Sequence, residues 1–196
     1  MFELIYPIDP APLLPLPTVD KPGIRAKAGQ EMLPIVEENG LVIGQSPRSE
    51  LHSGLKLLHP VVHLHIINRD SELFVQRRSM NKRQFPGMWD TAVGGHVDYG
   101  EQLETALYRE AFEELGFSAF NPTYLKTYVW ESSRERELVN VYAAVGNFRI
   151  DPSNDEVLEG RYWTMEEIFS SLGKGVFTPN FEHEFAEFKD TLLALL

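Results

Sequence analysis

Cysteine is absent from the 196 residues, which excludes disulfides and any thiol nucleophile or thiol proton donor. Positive charge is scarce: Lys+Arg 18 stands against Asp+Glu 29, a net charge of −11 at pH 7. That balance argues against a broad electrostatic footprint on nucleic acid. An acidic chain can still take an anionic diphosphate when metal ions mediate the contact. Long hydrophobic runs are missing too. No stretch approaches the roughly 18 apolar residues of a membrane span, and no basic-then-apolar leader opens the chain. The expectation is therefore a cytoplasmic protein without a membrane segment.

What is there suits one domain with a sizeable core, at 43% hydrophobic and 11% aromatic residues. The most informative stretch runs from Gly94-Gly95-His96 through Asp98-Tyr99-Gly100-Glu101 into an amphipathic helix expected over Gln102 to Leu115, closed by Gly116. At about 100° per residue, Glu110, Glu113 and Glu114 fall at about 0°, −60° and +40°. Tyr108, Ala111, Phe112 and Leu115 take the opposite side, so the pattern predicts a buried apolar face and three crowded carboxylates on the other. Like charges at this spacing repel, and no Lys on that arc relieves them. A hard divalent cation would, since magnesium-like ions prefer carboxylate oxygens together with water and substrate phosphates.

Around that stretch the chain alternates strands and helices. Six prolines before residue 30 (Pro7, Pro10, Pro12, Pro15, Pro17 and Pro22) predict an extended arm. Met32 to Val36 and Leu41 to Gly44 flank Asn39-Gly40, a hairpin signal. Ser46-Pro47-Arg48-Ser49-Glu50 reads as a helix start, with Ser46 as cap and Pro47 first in the helix, carrying His52. Val61 to Ile67 and Leu73 to Arg77 predict adjacent antiparallel strands, and Thr91 to Val93 a short strand feeding the glycine loop. Thr123 to Glu131 and Leu138 to Phe148 form a second pair, followed by a strand at Gly160 to Thr164, a helix at Met165 to Ser171 and a closing helix at Glu182 to Leu195. Arg77, Arg78, Lys82 and Arg83 make the main basic cluster, suited to gripping substrate phosphates or to ordinary surface charge.

Gly95, five residues, Glu101, seven residues, then Arg109-Glu110-Ala111-Phe112-Glu113-Glu114-Leu115-Gly116-Phe117 resemble the complete Nudix box, with every fixed position filled. The resemblance spans roughly residues 57 to 172. It implies the Nudix fold, an α/β/α sandwich with a mixed sheet, preceded here by the proline-rich arm and β-hairpin. Residues 1–56 would be the arm, hairpin and short helix packed on the core, and 57–196 the Nudix hydrolase domain with its C-terminal helix. It further implies hydrolysis of a diphosphate bond in a nucleoside diphosphate derivative or similar pyrophosphate, with Mg2+ or Mn2+ as cofactor. By that resemblance Glu113 and Glu114 are the principal ligands, Glu110 is a third ligand or orients the water, and the Gly95 carbonyl is a fourth contact. Arg109 would hold Glu110, Glu101 would brace the loop, and Glu156 sits where a general base commonly falls.

A second similarity lies alongside the first. His52, His59, His96, Glu135 and Glu137 match the His3Glu2 metal ligands of type I isopentenyl-diphosphate isomerase, a donor set suited to Zn2+ or Mn2+. That enzyme's catalytic cysteine is replaced by Gly94, and Phe177-Thr178-Pro179-Asn180-Phe181 stands where its C-terminal tryptophan is expected. The resemblance is thus to a hydrolase of the isomerase-like branch that lacks the catalytic cysteine. Isomerase-type activity and a non-catalytic nucleotide-binding Nudix module are the alternatives. A small-molecule diphosphate, most simply a nucleotide, is the expected partner, without stable nucleic-acid binding, and the arm and hairpin could join two copies as a homodimer.

Overall fold

Asn39-Gly40 folds the first hairpin as its chemistry predicts. Gly40 takes a φ of 80° and Leu41 N donates to Asn39 Oδ1 at 2.8 Å, between β1 (Met32–Val36) and β2 (Val42–Pro47). The structure, a computed structural model, describes residues 31–150, 152 and 154–196. The proline-rich arm expected before residue 30 lies outside them. Strand β2 continues further than expected, because Gln45, Ser46 and Pro47 pair with Pro34, Leu33 and Met32. Ser46 is therefore a strand residue. Its hydroxyl donates to Glu50 at 2.9 Å, and Pro47 rather than Ser46 stands at the N-cap of α1 (Arg48–Leu51), with His52 at its C-cap.

Strands β3 (Leu58–Ile67) and β4 (Leu73–Arg78) are antiparallel, with Ile66 opposite Phe74. Asn68 Oδ1 holds their turn by accepting from Asp70 N and Glu72 N. The single strand expected at Thr91 to Val93 is instead two pieces, β5 (Trp89–Asp90) and β6 (Val93–His96). Thr91 turns its hydroxyl onto the Val93 carbonyl at 3.0 Å, a local bond that competes with the ladder. The remaining elements are α2 (Leu103–Leu115), β7 (Thr123–Glu131), β8 (Arg136–Val145), β9 (Val157–Trp163), α3 (Met165–Ser171) and α4 (Pro179–Leu193). In the larger sheet the order is β5-β4-β3-β8-β7, with β6 on β3 and β9 on β4. Among the described residues no helix is long and apolar enough to cross a membrane.

Helix α2 departs from its expected faces. Phe112 is 43% exposed, whereas Glu110 and Glu114 are buried at 8% and 4%. Leu103, Ala106 and Leu107 decide this: they fall at about 20°, −40° and 60° on the same wheel, on the arc of the glutamates. All three are buried. The buried stripe thus carries two carboxylates with it, and Gly116 ends the helix at a φ of 65°.

By contacts the described chain divides into two compact units. The first takes the residues up to Val62, His96–Arg109 and Thr127–Asn140, and the second takes His63–Gly95, Glu110–Lys126 and Val141–Leu196. In the first, Leu33, Leu51, Val61 and Leu107 are among the buried apolar residues. In the second, α4 begins at Pro179, three residues before the expected Glu182, because Thr178 caps it by accepting from Phe181 N. Thr178 Oγ1 also donates to Asp90 at 2.8 Å, which ties this cap to β5. Phe181, Phe185, Phe188 and Leu192 recur at helical spacing and are buried. Phe177 stacks on Phe181 at 4.5 Å and meets Trp163 edge-on at 5.2 Å.

Candidate active site

In the second unit, the chain before α2 delivers Gly94 and Gly95 beside the glutamates of that helix. Glu114 is held from two directions through one oxygen: Oε2 accepts from Gln76 Nε2 at 2.8 Å and from Gly94 N at 3.1 Å. Gln76, itself 4% exposed on β4, fixes its own amide by donating to the Ala92 carbonyl at 3.2 Å. Burial and the neighbouring Glu110 charge push the Glu114 carboxyl up to about 8, with Lys82 and the two hydrogen bonds acting in the other direction. A carboxylate that burial and a like charge disfavour is stabilised by a cation, so this donor set fits a hard divalent ion. Gly95 packs directly against Glu110, whose side chain occupies the place a Cβ would take.

Behind the glutamates, Asn154 Nδ2 donates to the carbonyls of Glu113 and Glu114 at 3.2 and 2.7 Å. Its Oδ1 accepts from Glu156 N and Val157 N, which binds the end of α2 to the start of β9. Glu156 itself is exposed and pairs with Lys82 at 2.8 Å. Two more cations of the expected basic cluster are engaged in the same way. Arg77 meets Glu159 at 3.0 Å and donates to the Gly87 carbonyl, while Arg78 meets Asp90 at 2.9 Å. Arg83 is exposed.

The first unit gathers His52, His59 and His96. The ligand atoms of His59, His96 and Glu137 all lie within 4.8 Å of one another. The ring of His52 stands 5.1 Å from that of His96 and 5.9 Å from that of His59, and its Nδ1 is hydrogen-bonded to the buried carboxylate of Glu135. His59 turns Nδ1 to the Leu57 carbonyl at 3.0 Å. The Nε2 atoms of His52 and His59 are buried without a hydrogen-bond partner. Burial lowers the His59 pKa, which keeps the ring neutral, the form a metal ligand needs. A carboxylate or carbonyl on one ring nitrogen and an unsatisfied buried nitrogen on the other is the pattern of a ligating imidazole. In the same unit Arg109 meets Glu101 at 2.6 Å and donates to the His96 carbonyl at 2.9 Å, while Glu101 accepts from Asp98 N at 3.0 Å. Glu101 thereby joins Arg109 to the Asp98 amide in the loop before α2.

Two groups were not anticipated. Gln76 gave no signal beyond being a polar residue in an apolar strand. The other is a buried cluster in the second unit: Glu184 of α4 is fully buried and accepts from His63 Nδ1 at 2.7 Å and from His65 Nε2 at 2.8 Å. A glutamate on the Phe181, Phe185, Phe188 stripe was the available clue.

The family model for the NUDIX domain matches residues 57–185. An uncharacterized Nudix hydrolase of Nostoc sp. is 35% identical over 150 residues, covering 74% of this chain and 87% of the relative. An isopentenyl-diphosphate Delta-isomerase of Leifsonia xyli is 30% identical over 151 residues, covering 73% and 82%. A crystal structure of a Deinococcus radiodurans protein matches with a TM-score of 0.69 at 26% identity, over 83% of this chain and 99% of that one. The fold expectation of a mixed α/β protein with a mixed sheet is borne out.

Proposed function

The chain belongs to the Nudix family of pyrophosphohydrolases, and from that premise we propose that it hydrolyses the diphosphate bond of a nucleoside diphosphate derivative or similar organic pyrophosphate with a divalent metal ion. The observation that carries this reading is the buried carboxylate of Glu114, gripped by Gln76 and Gly94 beside Glu110. Glu113, Glu114, Glu110 and the Gly95 carbonyl would hold Mg2+ or Mn2+. Such an ion, when bound, neutralises charge on the phosphoryl oxygens and orients them for displacement. Gln76 and the Gly94 amide keep Glu114 in one orientation, and Asn154 fixes the helix end that carries Glu113 and Glu114. Glu101 and Arg109 brace the loop. Arg77, Arg78, Lys82 and Arg83 would take the substrate phosphates, the first three exchanging their present carboxylate partners for phosphate oxygens. Glu156 is one claimant for the base that activates water.

The test is release of phosphate or pyrophosphate from a nucleotide panel with magnesium, comparing wild type with Glu114→Gln. Loss of turnover in the variant supports the reading, and equal turnover by both proteins on every substrate sinks it.

A second reading is favoured by the grouping of His59, His96 and Glu137. With His52 and Glu135 these residues would form a separate Zn2+ or Mn2+ centre, as in isoprenoid diphosphate isomerisation. Against that activity stands Gly94, with no cysteine anywhere in the chain to donate the proton. Deuterium exchange into isopentenyl diphosphate decides it, and absence of exchange ends the idea.

A further inference from the structure

We propose that Asp90 is an internal competitor of the substrate at Arg78, a fixed carboxylate that holds this guanidinium until a phosphate group of the diphosphate displaces it. This deepens the hydrolase reading above and rests on it.

Three cations of the basic cluster each face a carboxylate of the chain itself. Glu159 on Arg77 and Glu156 on Lys82 are 54% and 49% exposed, so water solvates the charge left behind when the cation turns to a ligand. Asp90 differs, because its side chain is 13% exposed. Its position is also set without Arg78. Oδ1 accepts from Thr178 Oγ1 at 2.8 Å and from Thr91 N at 2.9 Å. Next to it in the chain, Trp89 N donates to the Val176 carbonyl and the Trp89 carbonyl accepts from Thr178 N, both at 2.9 Å, so the entry to α4 pins β5. The other oxygen, Oδ2, meets Arg78 Nη1 at 2.9 Å.

Arg78 has anchors of its own. Nε donates to the Gln84 carbonyl at 3.3 Å, and the backbone N–H donates to the Met88 carbonyl at 2.9 Å. Each partner is therefore held elsewhere, and the bond between them is what an incoming phosphate has to replace. Asp90 lies directly opposite Gln76 across β5 and β4, and opposed residues of a sheet share a face. Arg78 and Asp90 thus meet on the face from which Gln76 reaches Glu114.

Two effects oppose each other in the exchange. A guanidinium engages phosphate oxygens bidentately, which favours the ligand. The carboxylate that is displaced stays where it is, largely out of water, and repels the phosphate that has taken its partner. Asp90 accordingly lowers affinity for the diphosphate while it keeps Arg78 in place in its absence.

Binding of methylenediphosphonate, whose P–C–P bridge resists hydrolysis, tests this by calorimetry with magnesium present. Asp90→Asn keeps the volume and an acceptor for Thr178 and Thr91 but removes the charge. It is expected to bind the probe roughly 10-fold more tightly than wild type, the order of one close charge–charge contact near a protein surface. A merely structural residue would weaken binding or leave it unchanged. Arg78→Gln is expected to bind more weakly, and adding Asp90→Asn to it gives no gain, because the competition needs the guanidinium. Asp190→Asn removes the same charge from an exposed position near the far end of α4 and is expected to bind as wild type does. Asp90→Ser, also neutral, is expected to tighten binding in the same way and covers a loss of folding in the first variant.

A folded Asp90→Asn protein that binds no more tightly than wild type overturns the proposal. So does a gain that persists without Arg78, a gain matched by Asp190→Asn, or a failure of wild type and variants alike to bind the probe. No turnover is read, so the result is separate from the nucleotide panel. Tightening in a protein that hydrolyses no nucleotide supports Asp90 as competitor and overturns the hydrolase reading. Turnover lost in Glu114→Gln, without tightening in Asp90→Asn, does the reverse.

Discussion

The backbone of Gly95 and the side chain of Glu110 occupy adjoining space with no room between them. A Cβ at Gly95 would lie 2.5 Å from Glu110 Oε2 and closer still to its Cγ and Cδ. The atoms in the way are the end of a flexible side chain rather than backbone, so Gly95→Ala displaces the Glu110 carboxylate and leaves the fold in place. The expected outcome is a drop in kcat of roughly 10²-fold, since small misplacements of a positioned group have that effect. Circular dichroism and steady-state kinetics together check it, and a variant of normal activity would show that the position of Glu110 is immaterial.

Gln76 orients Glu114 through a bond to one carboxylate oxygen. Gln76→Leu keeps a similar volume but removes that donor and the bond to the Ala92 carbonyl. Outer partners of a ligand commonly change metal affinity or activity by roughly 10- to 100-fold. A magnesium titration of activity should shift to higher concentration by that order, and an unchanged half-saturation would count against the orienting role.

Glu114 also predicts how stability varies with pH when metal is withheld. Its carboxyl rises from 4.5 to about 8 in the fold. The folded protein therefore keeps a proton that the unfolded chain has lost over this window, and the contribution to stability falls as pH rises. It is fully present below the lower value and lost through the upper one. In chelator, thermal unfolding from about pH 5 to about pH 8 should show a decline in wild type that is weaker in Glu114→Gln. Saturating magnesium should remove the decline, because the bound ion replaces the proton.

The histidine centre makes a prediction of its own. With Nε2 of His52 and His59 buried and without partners, the site has donors for a transition ion. Equilibrium dialysis against Mn2+ or Zn2+ should find tight binding that His59→Ala weakens by at least roughly 10-fold. His59→Ala with full binding would mean that this grouping is not a metal site.

Much of the site could be read along the chain because its parts lie close in sequence. Gly95, Glu101 and Arg109-Glu110 with Glu113-Glu114 fall within one loop and one helix, where spacing alone sets their order. The Asn39-Gly40 hairpin and the Gly116 stop were legible for the same reason, since each depends on atoms a few residues apart. Ser46 was misplaced because its pairing with Leu33 across the hairpin outweighed its local preference for a cap.

The sequence by itself determined which chemistries are closed to this protein and which carboxylates share a helix. Without cysteine there is no thiol acid, and with four glutamates and two glycines in register the residue types of a metal platform are present. Tertiary structure decided what those residues experience. Periodicity gives each side chain an angle on α2, but whether that angle faces water depends on what packs there, and Leu103, Ala106 and Leu107 carried Glu110 and Glu114 inward. Burial then raised the Glu114 carboxyl, which no spacing rule can report. The bond from His63 to Glu184 joins positions 121 apart in the chain. Only the docking of α4 brings a carboxylate to that imidazole, because hydrogen bonding acts over a few ångströms in space and carries no trace along the sequence.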